Sequence, residues 1–243
     1  YRSYKERPTS LKESVIQLIT KGKLKHYSTF NALENVSLNV KRGEVFALIG
    51  SNGAGKSTFL KVLAGVLKPT KGSVNVDGSV ASLIELGVGF DMELNAVENI
   101  YLNGSLYRRP ASVIKERVDD ILDFAELKEF QNTPIKYYSS GMTARLGFAA
   151  AIDINPDILL VDEILAVGDE RFQLKCQGVF DKLLNSGKTI VIVTHNLEMA
   201  KARASRIGLM SRGKLVYVGD PEEAVERYRN NDYETVLGQT VLR

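Results

Sequence analysis

Three stretches of the chain carry residue types whose spacing suits phosphate chemistry. They are Gly50-Ser51-Asn52-Gly53-Ala54-Gly55-Lys56-Ser57-Thr58, the acid pair Asp162-Glu163, and His195. In the first, glycines let the backbone turn its N–H groups inward around phosphate oxygens, and a following helix N-terminus adds positive partial charge. Lys56 is placed to reach the β- and γ-phosphates and Ser57 to offer its hydroxyl to Mg²⁺. In the second, Asp162 suits the metal shell, and Glu163 suits a general base that polarises an attacking water. Two acids at the end of a buried strand are costly unless they have such partners. His195 follows the run Thr189–Thr194 and sits where a γ-phosphate sensor would, at the edge where α/β sheets bind ligands. A fourth stretch, Tyr138-Ser139-Ser140-Gly141-Met142, puts small hydroxyls at a helix start, which is either a plain cap or a second phosphate-binding surface.

The elements that must position these groups are legible from periodicity. Glu44–Ile49 reads as a buried strand before the loop, and Phe59–Ala64 as a helix after it, the context a phosphate loop requires. Ala32–Val40 alternates polar and apolar residues and predicts a half-buried strand. Pro69, Gly72 and Gly78 bracket a predicted hairpin carrying Val74-Asn75-Val76. Residues 96–136 read as helices, for example Val113 through Phe130, with Asn95 capping the first and Glu98 three residues on. Strands at Asp157–Val161 and Thr189–Val193 then alternate with helices, one from about Glu170. A closing hairpin runs through Gly213 and a short helix follows Pro221. The expected fold class is α/β: a mostly parallel sheet with helices, plus an antiparallel β subdomain and a helical subdomain.

Composition sets outer limits. With 243 residues and 44% apolar content, the chain is large enough for one substantial core. A net charge of +3 gives no electrostatic case for nucleic acid, and none is expected as a partner. Cys176 is the one cysteine, so an internal disulfide or cysteine-cluster metal site is excluded; it reads as a buried apolar residue. No apolar run reaches the length of a membrane span. The chain opens at Tyr1 and not Met, as expected of a portion of a longer chain, and no signal peptide is read at its start. Near that start, Ser10-Leu11-Lys12-Glu13 resembles a capping box, and Leu11, Val15, Leu18 and Ile19 share one helical face. This predicts an amphipathic helix over about 10–20, either packed on the domain or docking a partner.

The order of phosphate loop, Tyr138–Met142, Asp162-Glu163 and His195 resembles the ATP-binding-cassette ATPases, from about residue 30 to 219. That resemblance implies ATP and Mg²⁺ as ligands and a homodimer. In it, Ser139, Ser140 and Gly141, with Met142 beside them, meet the γ-phosphate held by the other copy, and Ala166–Asp169 crosses the interface. The signature Tyr-Ser-Ser-Gly-Met departs from the usual Leu-Ser-Gly-Gly-Gln. With Arg145–Ala149, the run Asp162–Asp169, Phe172 and Lys175-Cys176, it is similar to the ATPase subunits of bacterial surface-polysaccharide exporters for O-antigen, teichoic acid or capsule.

That similarity implies a multi-spanning membrane channel as partner and a lipid-linked polysaccharide as cargo, with the chain peripheral on the cytoplasmic face of the inner membrane. The helix over 10–20 then matches a gating helix beside the polysaccharide entrance. Glu85 stands nearest to a family Gln that contacts Mg²⁺ and the membrane partner. It either touches the metal, or its loop couples to that partner. Adenine stacking falls to Tyr27 or Phe30, or to Tyr4 or Tyr1. The implied organisation is an N-terminal segment 1–29, an ATPase domain 30–220 with a helical subdomain at about 92–153, and a C-terminal helix and tail 221–243, too short for the carbohydrate-binding domain of some O-antigen exporters. Rival readings are a soluble cassette ATPase acting on ribosomes or DNA, a phosphate-loop kinase, and a lipid or drug exporter.

Overall fold

Six consecutive buried residues, Val45–Gly50, form strand β1, with Phe46 to Ile49 fully shielded from solvent. A strand apolar on every residue needs neighbours at both edges and layers on both faces. The computed structural model supplies both. It describes residues 30–83, 86–87, 89–162 and 168–232. The predicted helix over 10–20, Tyr4, Tyr27, Glu85, Glu163, Ala166, Val167 and the tail after residue 232 lie outside the described residues.

The further strands are β2 Val80–Ser82, β3 Ile158–Asp162, β4 Thr189–Val193, β5 Arg206–Ser211 and β6 Lys214–Gly219. They make one sheet in the order β2-β3-β4-β1-β5-β6. All pairs are parallel except β5 with β6, which turns antiparallel at Arg212-Gly213. The helices are α1 Lys56–Leu63, α2 Ala96–Leu106, α3 Ala111–Ala125, α4 Ser140–Asp153, α5 Glu170–Leu184, α6 Leu197–Arg203 and α7 Pro221–Asn230.

Strand alternation divides the core into layers. Leu159, Val161, Ile190 and Ile192 face Phe148 of α4 and Phe172, Cys176 and Phe180 of α5. Their neighbours Leu160, Val191 and Val193 face Phe59 and Leu60 of α1 on the other side. The same alternation sends Ala47 and Ile49 toward α6 and α7, where Ala200, Ala224 and Val225 are buried. Helices α2, α3 and α4 close a separate cluster around Ile100, Ile121, Leu122, Leu146 and Ala150. The Val, Leu, Ile and Phe side chains among these each contribute about 1.5–3 kcal/mol when fully buried.

The predicted capping box at Asn95 and Glu98 is present in both directions. The helix predicted from Val113 through Phe130 stops at Ala125, because Glu126 turns left-handed at φ 60°, and only a short 3₁₀ turn follows at Lys128–Phe130.

Two strand expectations are corrected. Residues 32–40 belong to no ladder, with bends at 32, 33 and 35 and Asn35 left-handed at φ 50°, and residues 73–77 likewise form no hairpin. The alternation was real as a burial pattern. Val36, Leu38 and Val40 are half-buried against the α1-side cluster while Ser37 and Asn39 are exposed. A period of two reports one apolar face, however, and a ladder also needs a backbone edge to pair with. A cleft of about 1020 Å³ lined by both segments lies there instead. Val74 and Val76 are accordingly exposed.

Where the 32–40 segment meets the sheet, Glu44 is buried and held by Arg206, with Nε at 2.6 Å and Nη2 at 3.0 Å, and by the Lys41 N–H at 2.7 Å. Arg206 also donates to the Asn39 carbonyl at 2.7 Å. Burial pushes the Glu44 carboxyl up, but the Arg206 and Lys41 hydrogen bonds and charges together outweigh it and hold it below its ordinary value. A depressed folded-state pKa means that this stabilisation is present above the unfolded carboxylate range and is lost as pH falls through the lowered value. Arg206→Ala should cost about 2–3 kcal/mol at neutral pH by stranding that carboxylate, and should flatten the acid limb of the stability profile. Urea unfolding between pH 3 and 7 checks it; parallel wild-type and variant profiles contradict it.

Candidate nucleotide site

Because β1, β3 and β4 run parallel, their carboxyl ends share one edge of the sheet. Leu48 and Asp162 both lie opposite Val193 in register. The phosphate loop leaves β1 there, Asp162 ends β3, and His195 lies two residues beyond β4. This is the edge at which open α/β sheets bind ligands.

The loop geometry depends on two glycines. Gly50 adopts φ 152°, and a Cβ there would stand 2.2 Å from the Met210 carbonyl oxygen of β5. Gly55 adopts φ 105° as the N-cap of α1, with the Ala32 carbonyl 2.7 Å from where its Cβ would be. Both contacts are to backbone, so no side chain can yield to make room. Lys56 is buried at 6% exposure, its Nζ donating to the Gly50 carbonyl at 2.7 Å and the Ser51 carbonyl at 3.0 Å. The ammonium is thus held under the loop by the backbone it would share with a phosphate. Ala54 is buried, Gly53 has open space around it, and Ser51, Asn52 and Gly53 are exposed. Thr58 lies in the first turn of α1, half-buried.

Ser57 and Asp162 meet across 105 residues of sequence, the Ser57 hydroxyl donating to Oδ2 at 3.3 Å. Hard oxygens so paired beside a phosphate loop have the chemistry to supply the protein share of a Mg²⁺ shell, which phosphate and water would complete. Among the described residues no cluster of three or more His, Cys, Asp or Glu could hold a metal alone. His195 is exposed, in the turn between β4 and α6. That turn is built by Thr194 and Asn196: the Thr194 hydroxyl accepts from the Asn196 N–H at 3.0 Å, and the Asn196 side chain caps α6 through the Met199 N–H at 2.9 Å.

Ser139 is the N-cap of α4, its Oγ accepting from the Met142 N–H at 3.2 Å. Ser139 and Ser140 are exposed and Gly141 has room beside it, while Met142 packs into the helical cluster. This second helix start therefore belongs to the α2–α4 layer, apart from the cluster beneath the phosphate loop.

Sequence reasoning named Arg145 and Asp169 but missed that they pair and so join these parts. Arg145 of α4 pairs with Asp169 at 2.9 Å, the residue that caps α5 through the Phe172 N–H. That N–H, ahead of the Arg145 charge, holds the Asp169 carboxyl below its usual value despite some desolvation. Cys176, one turn on, is buried, as expected, and burial pushes its thiol up to about 12.

A family model described as ABC transporter matches residues 33–166. The O-antigen export system ATP-binding protein RfbB of Klebsiella pneumoniae is 46% identical over 198 residues, covering 82% of this chain and 80% of the relative. The teichoic acids export ATP-binding protein TagH of Lactiplantibacillus plantarum is 42% identical over 215 residues, covering 85% of this chain and 59% of the relative. Among solved structures, a dimeric ATP-binding cassette in a post-hydrolysis state bound to ADP and Pi has 28% identity and a TM-score of 0.65. That match covers 83% of this chain and 94% of the other.

Proposed function

We propose, from the premise that this chain belongs to the ABC transporter family, that it is the ATP-hydrolysing subunit of an exporter of lipid-linked surface polysaccharide. The observation that carries the chemistry is the Ser57–Asp162 contact at the mouth of the phosphate loop. The cargo assignment draws on the similarity to O-antigen and teichoic acid export proteins. No described helix is long and apolar enough to cross a membrane, so the reading includes a separate multi-spanning channel subunit. It also includes a homodimer, peripheral on the cytoplasmic face of the inner membrane.

In this reading the loop amides and Lys56 hold the phosphate charge. Ser57 and Asp162 would hold Mg²⁺, which neutralises phosphate charge when bound; Glu85 is a further candidate ligand. Glu163 takes a proton from water as its oxygen bonds to the γ-phosphorus, the bond to the ADP oxygen breaks, and ADP and phosphate leave. His195 contacts a γ-phosphate oxygen, and Ser139, Ser140 and Gly141 of the partner subunit approach the same group. The work is largely positioning and electrostatics. Adenine stacks on Tyr4 or Tyr27. Residues 1–29 form an N-terminal segment whose helix over about 10–20 has the gating role, 30–220 the ATPase domain with its helical part at about 92–153, and 221–243 the C-terminal helix and tail.

The chain should stay with salt-washed membranes of its native host and co-purify in mild detergent with a multi-spanning protein, as a complex that hydrolyses ATP. Recovery wholly in the soluble fraction, on ribosomes or DNA, rejects the exporter reading.

A further inference from the structure

Helix α3 ends in a six-to-one turn, the Leu127 N–H donating to the Leu122 carbonyl at 3.0 Å, with Glu126 left-handed at φ 60° and ψ 41°. Glycine serves that position at least cost and short polar residues come next, as at Asn35, Asn155 and Asn231; Arg108 and Arg212 are the other long side chains held left-handed among the described residues. Glutamate offers the turn nothing by itself. What it adds is a carboxylate, and that carboxylate faces two cations from two different helices. Its Oε2 accepts from Arg145 Nη1 of α4 at 3.2 Å, and its Oε1 lies 3.6 Å from Lys175 Nζ of α5.

Each cation is tied again beyond Glu126. Arg145 reaches Asp169 and lies 5.0 Å over the Phe172 ring. Lys175 donates to the Phe124 carbonyl at 2.7 Å, at the end of α3, and lies 4.5 Å from the centre of the Phe124 ring. Phe124 meets Phe172 edge-on at 5.7 Å. The left-handed backbone therefore holds an acid where three helices converge: α3, the helix opened by Ser139, and the helix opened by Asp169.

We propose that Glu126 is a positioning residue for ATP hydrolysis. Its carboxylate holds the helix start at Ser139–Gly141 in a fixed relation to the chain that follows the acid pair Asp162-Glu163. The inference rests on the roles assigned above to Ser139–Gly141 and Glu163, and it adds a residue that touches neither substrate nor metal.

The test exploits the backbone. In the full chain, Glu126→Gly removes the carboxylate while easing the left-handed turn, so a role confined to the turn predicts an unchanged or stabilised active protein, and a role confined to tying helices together predicts a lower midpoint. We expect a thermal midpoint no lower than wild type, a kcat lowered about tenfold and an unchanged KM for ATP. Glu126→Gln, which keeps the side-chain length and loses the charge, should fall between. Hydrogen exchange at the Phe172 and Gln173 amides should speed up in Glu126→Gly. Wild-type kcat in both variants overturns the proposal, as does a loss of activity matched by a fall in midpoint. A wild-type chain that hydrolyses no ATP instead defeats the proposed function. The exchange measurement then still judges Glu126, since unchanged exchange removes the coupling.

Discussion

Glu163→Gln should bind ATP with near wild-type affinity and hydrolyse it at least about a hundredfold more slowly, the loss typical of removing a positioned general base. The amide matches the carboxylate in size, so packing is preserved while the acceptor for the water's proton is gone. Asp162, one residue earlier, should not take over, because its Oδ2 is already engaged by the Ser57 hydroxyl at the proposed metal position. ATP-bound dimers should therefore accumulate, visible as a doubled mass by light scattering in the presence of Mg²⁺-ATP. Wild-type turnover in this variant sinks the assignment of the base, and loss of ATP binding assigns Glu163 to the nucleotide pocket.

Lys56→Ala should fail earlier, at binding. The ammonium is buried and donates to the carbonyls of Gly50 and Ser51, so it both supplies charge and shapes the loop. Without it, two carbonyls and the phosphates face one another with no cation between them. ATP affinity should fall about a hundredfold, as expected for the loss of a charge-assisted contact in a shielded site. The fold should survive, since β1 and α1 keep their apolar contacts. Calorimetric titration with Mg²⁺-ATP reads the affinity, and circular dichroism the fold. Lys56→Arg should not rescue, because a planar fork does not fit where a compact ammonium is enclosed by loop backbone. Undiminished affinity in Lys56→Ala removes Lys56 from the phosphate site.

The sheet edge where Gly50–Thr58, Asp162 and His195 meet was legible in the sequence because its parts are local. Gly50–Thr58 is one continuous stretch, Asp162 closes a continuous apolar run, and β4 matches its predicted bounds, Thr189–Val193. Each signal is complete within about ten residues, and the parallel sheet then brings them together. The expected strand over 32–40 failed for the complementary reason. Its apolar face was written locally, but whether a backbone edge would be available was not. The cluster of Glu126, Arg145, Asp169 and Lys175 was illegible on both counts. Its members are ordinary charges scattered over fifty residues, and the one local clue, a glutamate in a left-handed turn, is a property of φ and not of composition.

The placement of β1 has a bearing on how the chain is made. Its edges are closed by β4 and β5, which come about 140 and 160 residues later. Loop closure over such distances is slow, and a strand apolar on every residue stays aggregation-prone until it is paired. During synthesis the phosphate loop thus emerges long before the sheet that gives it shape. Nucleotide should therefore bind only after β5 has closed the sheet, and aggregation of nascent chains should be greatest in the interval before β5 leaves the ribosome.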